Sequence, residues 1–345
     1  VSLDSEHLVS APFIPLAGTP PPATPLHRTF FGADGLRAGW SLLLFFALLF
    51  VFGTAAQRIT RAIHPPPNTH IAQPAEMPPG KSILGEAVSF TVVGLSTLIM
   101  SRVERRPLHT FGIGVTPRAL PQFFAGLAWG AALLSLLVGA LFTTHLLVFT
   151  GLRLSGAAIL RFATEWAITF LLVGLFEEYA LRGYLQFTLA RGLTGALRAA
   201  TGNPFAKTIG FWIAAAFFSF IFGFGHKSNA GESPLGLVSA GLIGLVFCLS
   251  LWRTGSLWWA IGFHAAWDWA QSFVFGVADS GHMVAFHLLA SHPQGTPLLS
   301  GGLTGPEGSL FVLPVILLTT AAILLTVRHT GWPTPPSRTP SLDRR

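Results

Sequence analysis

Three short stretches of this chain set ionisable side chains among apolar ones. They are Phe176-Glu177-Glu178-Tyr179-Ala180-Leu181-Arg182, then Phe222-Gly223-Phe224-Gly225-His226, then Phe263-His264-Ala265-Ala266-Trp267-Asp268. On a helix, Glu178 and Arg182 stand one turn apart with the acid N-terminal to the base, the favourable order for a pair. Glu177 is then turned roughly 100° away. One carboxylate is neutralised locally while its neighbour stays available for chemistry. His264 and Asp268 also share one helix face by their i,i+4 spacing. Carboxylates and imidazoles move protons near neutral pH and also bind zinc. The chain has no His-Glu-x-x-His, no Gly-x-Ser-x-Gly and no Gly-x-x-x-x-Gly-Lys-Ser/Thr stretch. The chemistry on offer is therefore that of carboxylate with imidazole. Each stretch alone has a plainer explanation: an ion pair beside a packing acid, an interfacial histidine, or a His–Asp bond that ties two helices together.

The surroundings raise the stakes. Of 345 residues, 51% are hydrophobic and 10% charged, and the mean hydropathy is +0.59. A soluble domain carries about 25% charged residues, so this chain cannot cover a water-facing surface. Apolar runs of roughly 20 residues cross the hydrocarbon core, and inside lipid such runs must be helices to satisfy their backbone groups. The fold class expected is all-α, a polytopic integral membrane protein. Eight spans are expected, near 38–56, 83–101, 121–146, 162–190, 208–226, 235–252, 256–278 and 309–327. The transmembrane domain is thus 38–327. No internal repeat is visible. A charge at bilayer depth costs at least about 2.5–3.5 kcal/mol on insertion scales, so the three stretches need a reason to exist. Glu165 and His145 lie near span ends, where water contact suffices, and are read as structural.

The net charge of +7 would suggest nucleic acid in a soluble protein. Here Lys and Arg flank the spans and set topology instead, and no nucleic-acid partner is expected. With eight spans, fourteen Lys and Arg fall on the side holding both termini and six on the other, with Arg182 inside span four. The positive-inside rule places both termini in the cytoplasm. Residues 1–37 are Pro-rich, lack the basic-then-apolar order of a secretory signal, and are expected to be a flexible cytoplasmic tail. Residues 328–345 are expected to be a disordered, basic, Pro-rich tail. Cys248 is the single cysteine, so no disulfide within the chain is possible.

Taken in order, Glu177-Glu178-x-x-x-Arg182, Phe222-x-x-x-His226 and His264-x-x-x-Asp268 resemble the three-motif signature of the CAAX-protease and bacteriocin-processing family. That family, also called abortive-infection proteins, includes the Ras-converting prenyl endopeptidases. The resemblance covers about 165–275 in detail, and Arg105-Arg106-Pro107-Leu108…Phe111-Gly112 is similar to the family's lead-in. It implies an intramembrane endopeptidase in which Glu177 activates the attacking water and His226 assists. His264 and Asp268 would stabilise the oxyanion or orient the site, and Glu178 with Arg182 would brace span four. Between these two offices, the one expected of Asp268 is to accept a hydrogen bond from His264 and fix its tautomer. No metal cofactor is expected, with zinc held by Glu177, His226 and His264 as the alternative. It implies a peptide or membrane-protein substrate, met within the lipid bilayer of a bacterial inner membrane. Two features depart from the family pattern. The gap from Glu177 to His226 is long, so 190–207 is expected to hold an extra interfacial helix, and the third motif ends in Asp rather than Asn. The rival readings are a catalytically silent scaffold or chaperone, and a proton-coupled transporter. A transporter predicts paired broken helices and internal symmetry, which the sequence does not display.

Overall fold

The computed structural model describes residues 24–32, 34–63 and 76–331. Most of the two expected tails, residues 1–23 and 332–345, lies outside the described residues. The chain separates into two units at Arg37–Ala38. The first contains α1 (Pro25–Phe30), whose Thr24 hydroxyl accepts from the His27 N–H at 3.2 Å. A two-residue antiparallel ladder, β1 (Phe31–Gly32) with β2 (Gly35–Leu36), follows it.

The second unit is helical. Its long elements are α2 (Ala38–Ile63), α3 (Pro79–Glu104), α4 (Ala119–Thr143), α5 (Ala157–Glu178) and α6 (Gln186–Thr201). They continue with α7 (Ala206–Gly225), α8 (Pro234–Thr254), α9 (Trp258–Asp268), the short α10 (Pro297–Ser300) and α11 (Val312–Thr326). Short strands tie the loops together. β3 (Glu76–Met77) pairs in parallel with β5 (Met283–Val284), and β4 (Leu147–Leu152) pairs antiparallel with β6 (Leu289–Pro293).

All eight expected spans are helical, but six helices among the described residues are long and apolar enough to cross a membrane. The seventh and eighth expected spans are shorter. α9 has eleven residues and runs on as a π-helix over Trp269–Val274, and α11 has fifteen. The fourth runs well past its expected end, because α5 continues through a π-helix at Tyr179–Leu185 into α6 and forms one 45-residue path. The stretch expected to hold an extra helix at 190–207 is the end of α6 and its turn into α7. Large apolar side chains lie on the outside: Phe50 is 75% exposed, Leu317 71% and Leu325 85%. Exposed apolar surface on this scale belongs against lipid rather than water.

Glycine decides how closely α9 can approach its neighbours. A Cβ at Gly126 or Gly130 of α4 would collide with the carbonyl oxygens of Trp259 and Phe263, and one at Gly262 of α9 would strike that of Phe123. Small residues of this kind let helix backbones touch inside membranes, where no hydrophobic force draws helices together. Gly174 does the same for α5, since its Cβ would stand 3.2 Å from the Ile261 carbonyl oxygen and 3.6 Å from the His264 Cβ. That contact lies one turn before Glu178. Gly130→Val is expected to cost about 1–3 kcal/mol or more by overpacking and to lower the melting temperature in detergent. Gly139→Ala on the same helix, where a Cβ meets nothing within 4 Å, is expected to melt like the wild type. Equal melting of the two variants would remove glycine contact as the reason α4 and α9 lie so close.

The connecting segments gather at two ends of this unit. At one end Glu104 meets Arg106 at 3.3 Å and Arg191 at 3.6 Å. There too Leu257 N–H donates to Gly112 O at 2.9 Å, and Arg253 donates to Val327 O at 2.9 Å. At the other end Arg153 meets Glu76 at 3.0 Å, Asn229 donates to Ser280 O at 2.8 Å, and β4 holds β6.

Candidate active site

The site starts with the buried pair. Glu178 and Arg182 are both inaccessible, and Arg182 Nη1 donates to Glu178 Oε1 at 2.7 Å. The Arg182 guanidinium also lies 4.3 Å over the Phe222 ring, a contact favourable to a desolvated cation. Gly244 on α8 makes this possible, since a Cβ there would run into Arg182 Nη2. The single cysteine, Cys248, is buried one turn further along and donates to Gln186 Oε1 at 3.2 Å.

Glu177 is placed differently. Its side chain is 25% exposed against 0% for Glu178, and it faces a cavity of about 1230 Å³. His226, His264 and Asp268 line the same cavity. The His264 ring sits among three carboxylates. Its Nδ1 is 3.1 Å from Glu178 Oε1, and its Nε2 is 3.4 Å from Asp268 Oδ2 and 3.7 Å from Glu177 Oε2. The expected tautomer-fixing contact to Asp268 is therefore the longer one. Glu178, from another helix, makes the shorter contact, because the α5–α9 approach at Gly174 brings it against Nδ1. With Nδ1–H donating to Glu178, Nε2 faces two carboxylates, and a proton is needed between acceptors so close together. His226 ends α7, and its Nδ1 lies 2.7 Å from Phe222 O. A carbonyl only accepts, so Nδ1 is the donor of this bond.

Both helices that carry carboxylates of the site change pitch immediately after them. The π-helix Tyr179–Leu185 begins at the residue after Glu178, and Trp269–Val274 begins after Asp268. Departures of this type concentrate at functional sites. The lead-in also has a physical role. Gly112, at φ 89°, accepts from Leu257 N–H, and Gly114 O accepts from Trp258 Nε1 at 3.0 Å, which pins the start of α9.

Three acids lining the cavity are absent from the sequence reading: Glu86 on α3, and Asp279 and Glu307 in the loops around β5 and before α11. Glu86 lies inside the expected span 83–101 and met the same criterion as the other buried charges. Asp279 and Glu307 had no such signal, since only folding returns their loops to the cavity. Glu307 accepts from the Ser280 N–H and from Gln271 Nε2, while Asp279 accepts from the Ser272 hydroxyl at 3.2 Å. Burial pushes the Asp279 carboxyl up to about 6, with charge from His264 and a bond from Ser272 acting the other way. Burial and Asp279 also raise Glu307 well above the usual carboxylate range. A folded-state value above the unfolded one means that the neutral form is favoured by folding. That stability is fully present below the unfolded value and is lost as pH rises through the folded value. The melting advantage of the wild type over Asp279→Asn is therefore expected to shrink between pH 4 and pH 7. A constant difference across that range would show that Asp279 does not titrate there.

The zinc alternative names Glu177, His226 and His264. Among the described residues, no group of three His, Cys, Asp or Glu side chains is arranged to hold a metal ion. Within the candidate set, both nitrogens of His264 face carboxylates and His226 Nδ1 faces a carbonyl. Glu165 pairs with Arg161 at 2.9 Å on an exposed face, and His145 closes α4 in a left-handed turn at φ 58°.

Searches of curated proteins and of solved structures return no significant match. The segment bearing Glu177, Glu178, Arg182, His226, His264 and Asp268 does match a family. Residues 159–270 match the model described as Rce1-like, type II CAAX prenyl endopeptidase Rce1-like, and it is to that family of proteases that this membrane-embedded segment is similar.

Proposed function

We propose that the protein is an intramembrane endopeptidase that hydrolyses a peptide bond with a water molecule activated by Glu177. One observation carries this reading. Arg182 is committed to Glu178, so Glu177 is left free of it on the wall of a cavity shared with His226, His264 and Asp268, with His264 Nε2 at 3.7 Å. The Rce1-like match over the same residues supports it.

Glu177 takes a proton from water, and the resulting hydroxide attacks the substrate carbonyl carbon. A proton at His264 Nε2, between Glu177 and Asp268, is available to the carbonyl oxygen as it gains negative charge. His226 Nε2 offers an acceptor to hold the water. The carbon–nitrogen bond then breaks, and the proton held by Glu177 passes to the leaving nitrogen, which leaves an acid and an amine. Asp268 Oδ2 lies 3.4 Å from His264 Nε2, and its part is to hold that ring. Incubating purified protein in lipid nanodiscs with a peptide library, and reading new termini by mass spectrometry, tests the reading. A silent scaffold or a proton-coupled transporter leaves every peptide intact, and that result would overturn it.

The orientation proposed is both termini in the cytoplasm. The fourteen-to-six Lys/Arg asymmetry supports it. So does the way segments assigned to one side cluster, with Glu104 holding Arg106 and Arg191 at one end and β4 holding β6 at the other. The cavity-lining residues Arg61, Asn229, Ser280 and His282 then lie toward the side away from the cytoplasm. Enzyme-reporter fusions at the two termini are expected to be active only as cytoplasmic fusions. Periplasmic activity at both would reverse the assignment.

A further inference from the structure

Glu86 is an acid within a membrane-spanning helix, two turns into α3. An ionisable group there needs a partner or a task. Among the described residues it has no hydrogen bond or ion pair. The polar neighbours on its own face are committed elsewhere: Ser82 Oγ donates to Pro78 O at 3.1 Å and Ser89 Oγ to Gly85 O at 3.0 Å. Glu86 lines the same cavity as Glu177, so the two acids share one enclosed space. The lining holds five carboxyl groups, Glu86, Glu177, Asp268, Asp279 and Glu307, against one permanent cation, Arg61, which is exposed and makes no ion pair among the described residues. Low-dielectric walls around charges of one sign focus the field and draw in the opposite sign. The remaining walls are apolar, with Val92, Val93, Phe170, Ile243 and Val315 among them.

We propose that Glu86 is a specificity-determining residue of this cavity, whose carboxylate receives a Lys or Arg side chain of an otherwise apolar peptide substrate. The cation supplies the partner that Glu86 lacks. A basic side chain suits the place because its alkyl stem lies along apolar surface while its charged head reaches the acid. The position of the scissile bond beside Glu177 rests on the peptidase reading, but the binding preference does not.

The test uses the full chain in nanodiscs and a set of fluorescein-labelled twelve-residue apolar peptides in which one Lys is walked along the sequence. In each matched control that Lys is replaced by norleucine, which keeps the stem and removes the charge. Binding is read by fluorescence polarisation and cleavage separately by mass spectrometry. For at least one Lys position the wild type is expected to bind about tenfold tighter than to the norleucine control, a difference of about 1.4 kcal/mol. Glu86→Gln is expected to bring the pair within twofold, and Glu86→Lys to invert the preference toward a Glu-bearing peptide. Size-exclusion profiles equal to wild type show that the variants fold. A Lys preference that survives in Glu86→Gln overturns the proposal, as does the lack of any Lys preference in the wild type. Binding preference without cleavage leaves the proposal standing and defeats the peptidase reading. Cleavage without Glu86-dependent preference does the reverse.

Discussion

Replacing Glu177 with Gln is expected to lower peptide turnover by about 10²–10⁴-fold, the range a positioned general base contributes, while the protein folds and melts as the wild type does. The amide has nearly the same shape but cannot accept the water proton. Glu177 is partly exposed to the cavity and holds no ion pair with Arg182, so little of the fold depends on its charge. Its one charged neighbour within 4 Å is His264, at 3.7 Å. A second readout separates catalysis from binding. Affinity of Glu177→Gln for the norleucine peptides should match that of the wild type, because the amide keeps the shape of the acid and those peptides carry no side-chain charge for it to meet. Retained turnover in the folded variant would eliminate the glutamate-base mechanism.

The largest effect on stability is expected one residue later. Glu178 and Arg182 are both fully buried at 2.7 Å, and removing one partner of a buried pair costs about 3–5 kcal/mol because the other is stranded. For Glu178→Gln this amounts to a melting temperature lower by on the order of 10 °C. Arg182 would keep an amide oxygen and the ring faces of Phe222 and Phe247, at 4.3 Å and 5.9 Å, but no opposite charge. Arg182→Met should cost less, because His264 Nδ1 still donates to Glu178 at 3.1 Å. The double variant Glu178→Gln/Arg182→Met should recover part of the loss, as coupled residues do in a mutant cycle. The protein carries its own probe: Cys248 is the single cysteine and is wholly buried. A thiol-reactive dye therefore reports unfolding directly. Wild-type melting in both single variants would mean that the pair carries no stability.

Helical class and membrane residence were legible in the chain because apolar runs near 20 residues have one outcome in lipid. The Glu178–Arg182 pairing was legible as well, since i,i+4 spacing places both on one face, and the freedom of Glu177 from that pair follows from its angle on the helix. Such relations are local and need only helix geometry. Relations between helices were not legible. Nothing in the spacing of His264 and Asp268 says that Glu178 would reach the ring first, because that contact depends on Gly174 letting α5 meet α9. The length of the fourth helical path was missed because the apolar run ends near Arg191, while the helix carries on to Thr201. Span counting was less secure at α9 and α11, where short helices in apolar surroundings look like full spans to a hydropathy reading.

The chain by itself determined which side chains can do chemistry, and that they lie on apolar helices, because type and period are properties of neighbours in sequence. Tertiary structure alone decided that Asp279, Glu307 and Glu86 join them around one cavity. Those three come from a returning loop, the approach to α11 and a helix far earlier in the chain. Their meeting depends on glycine contacts and on the β3–β5 and β4–β6 pairings, which bring together segments more than a hundred residues apart. No local pattern encodes a distance of that kind.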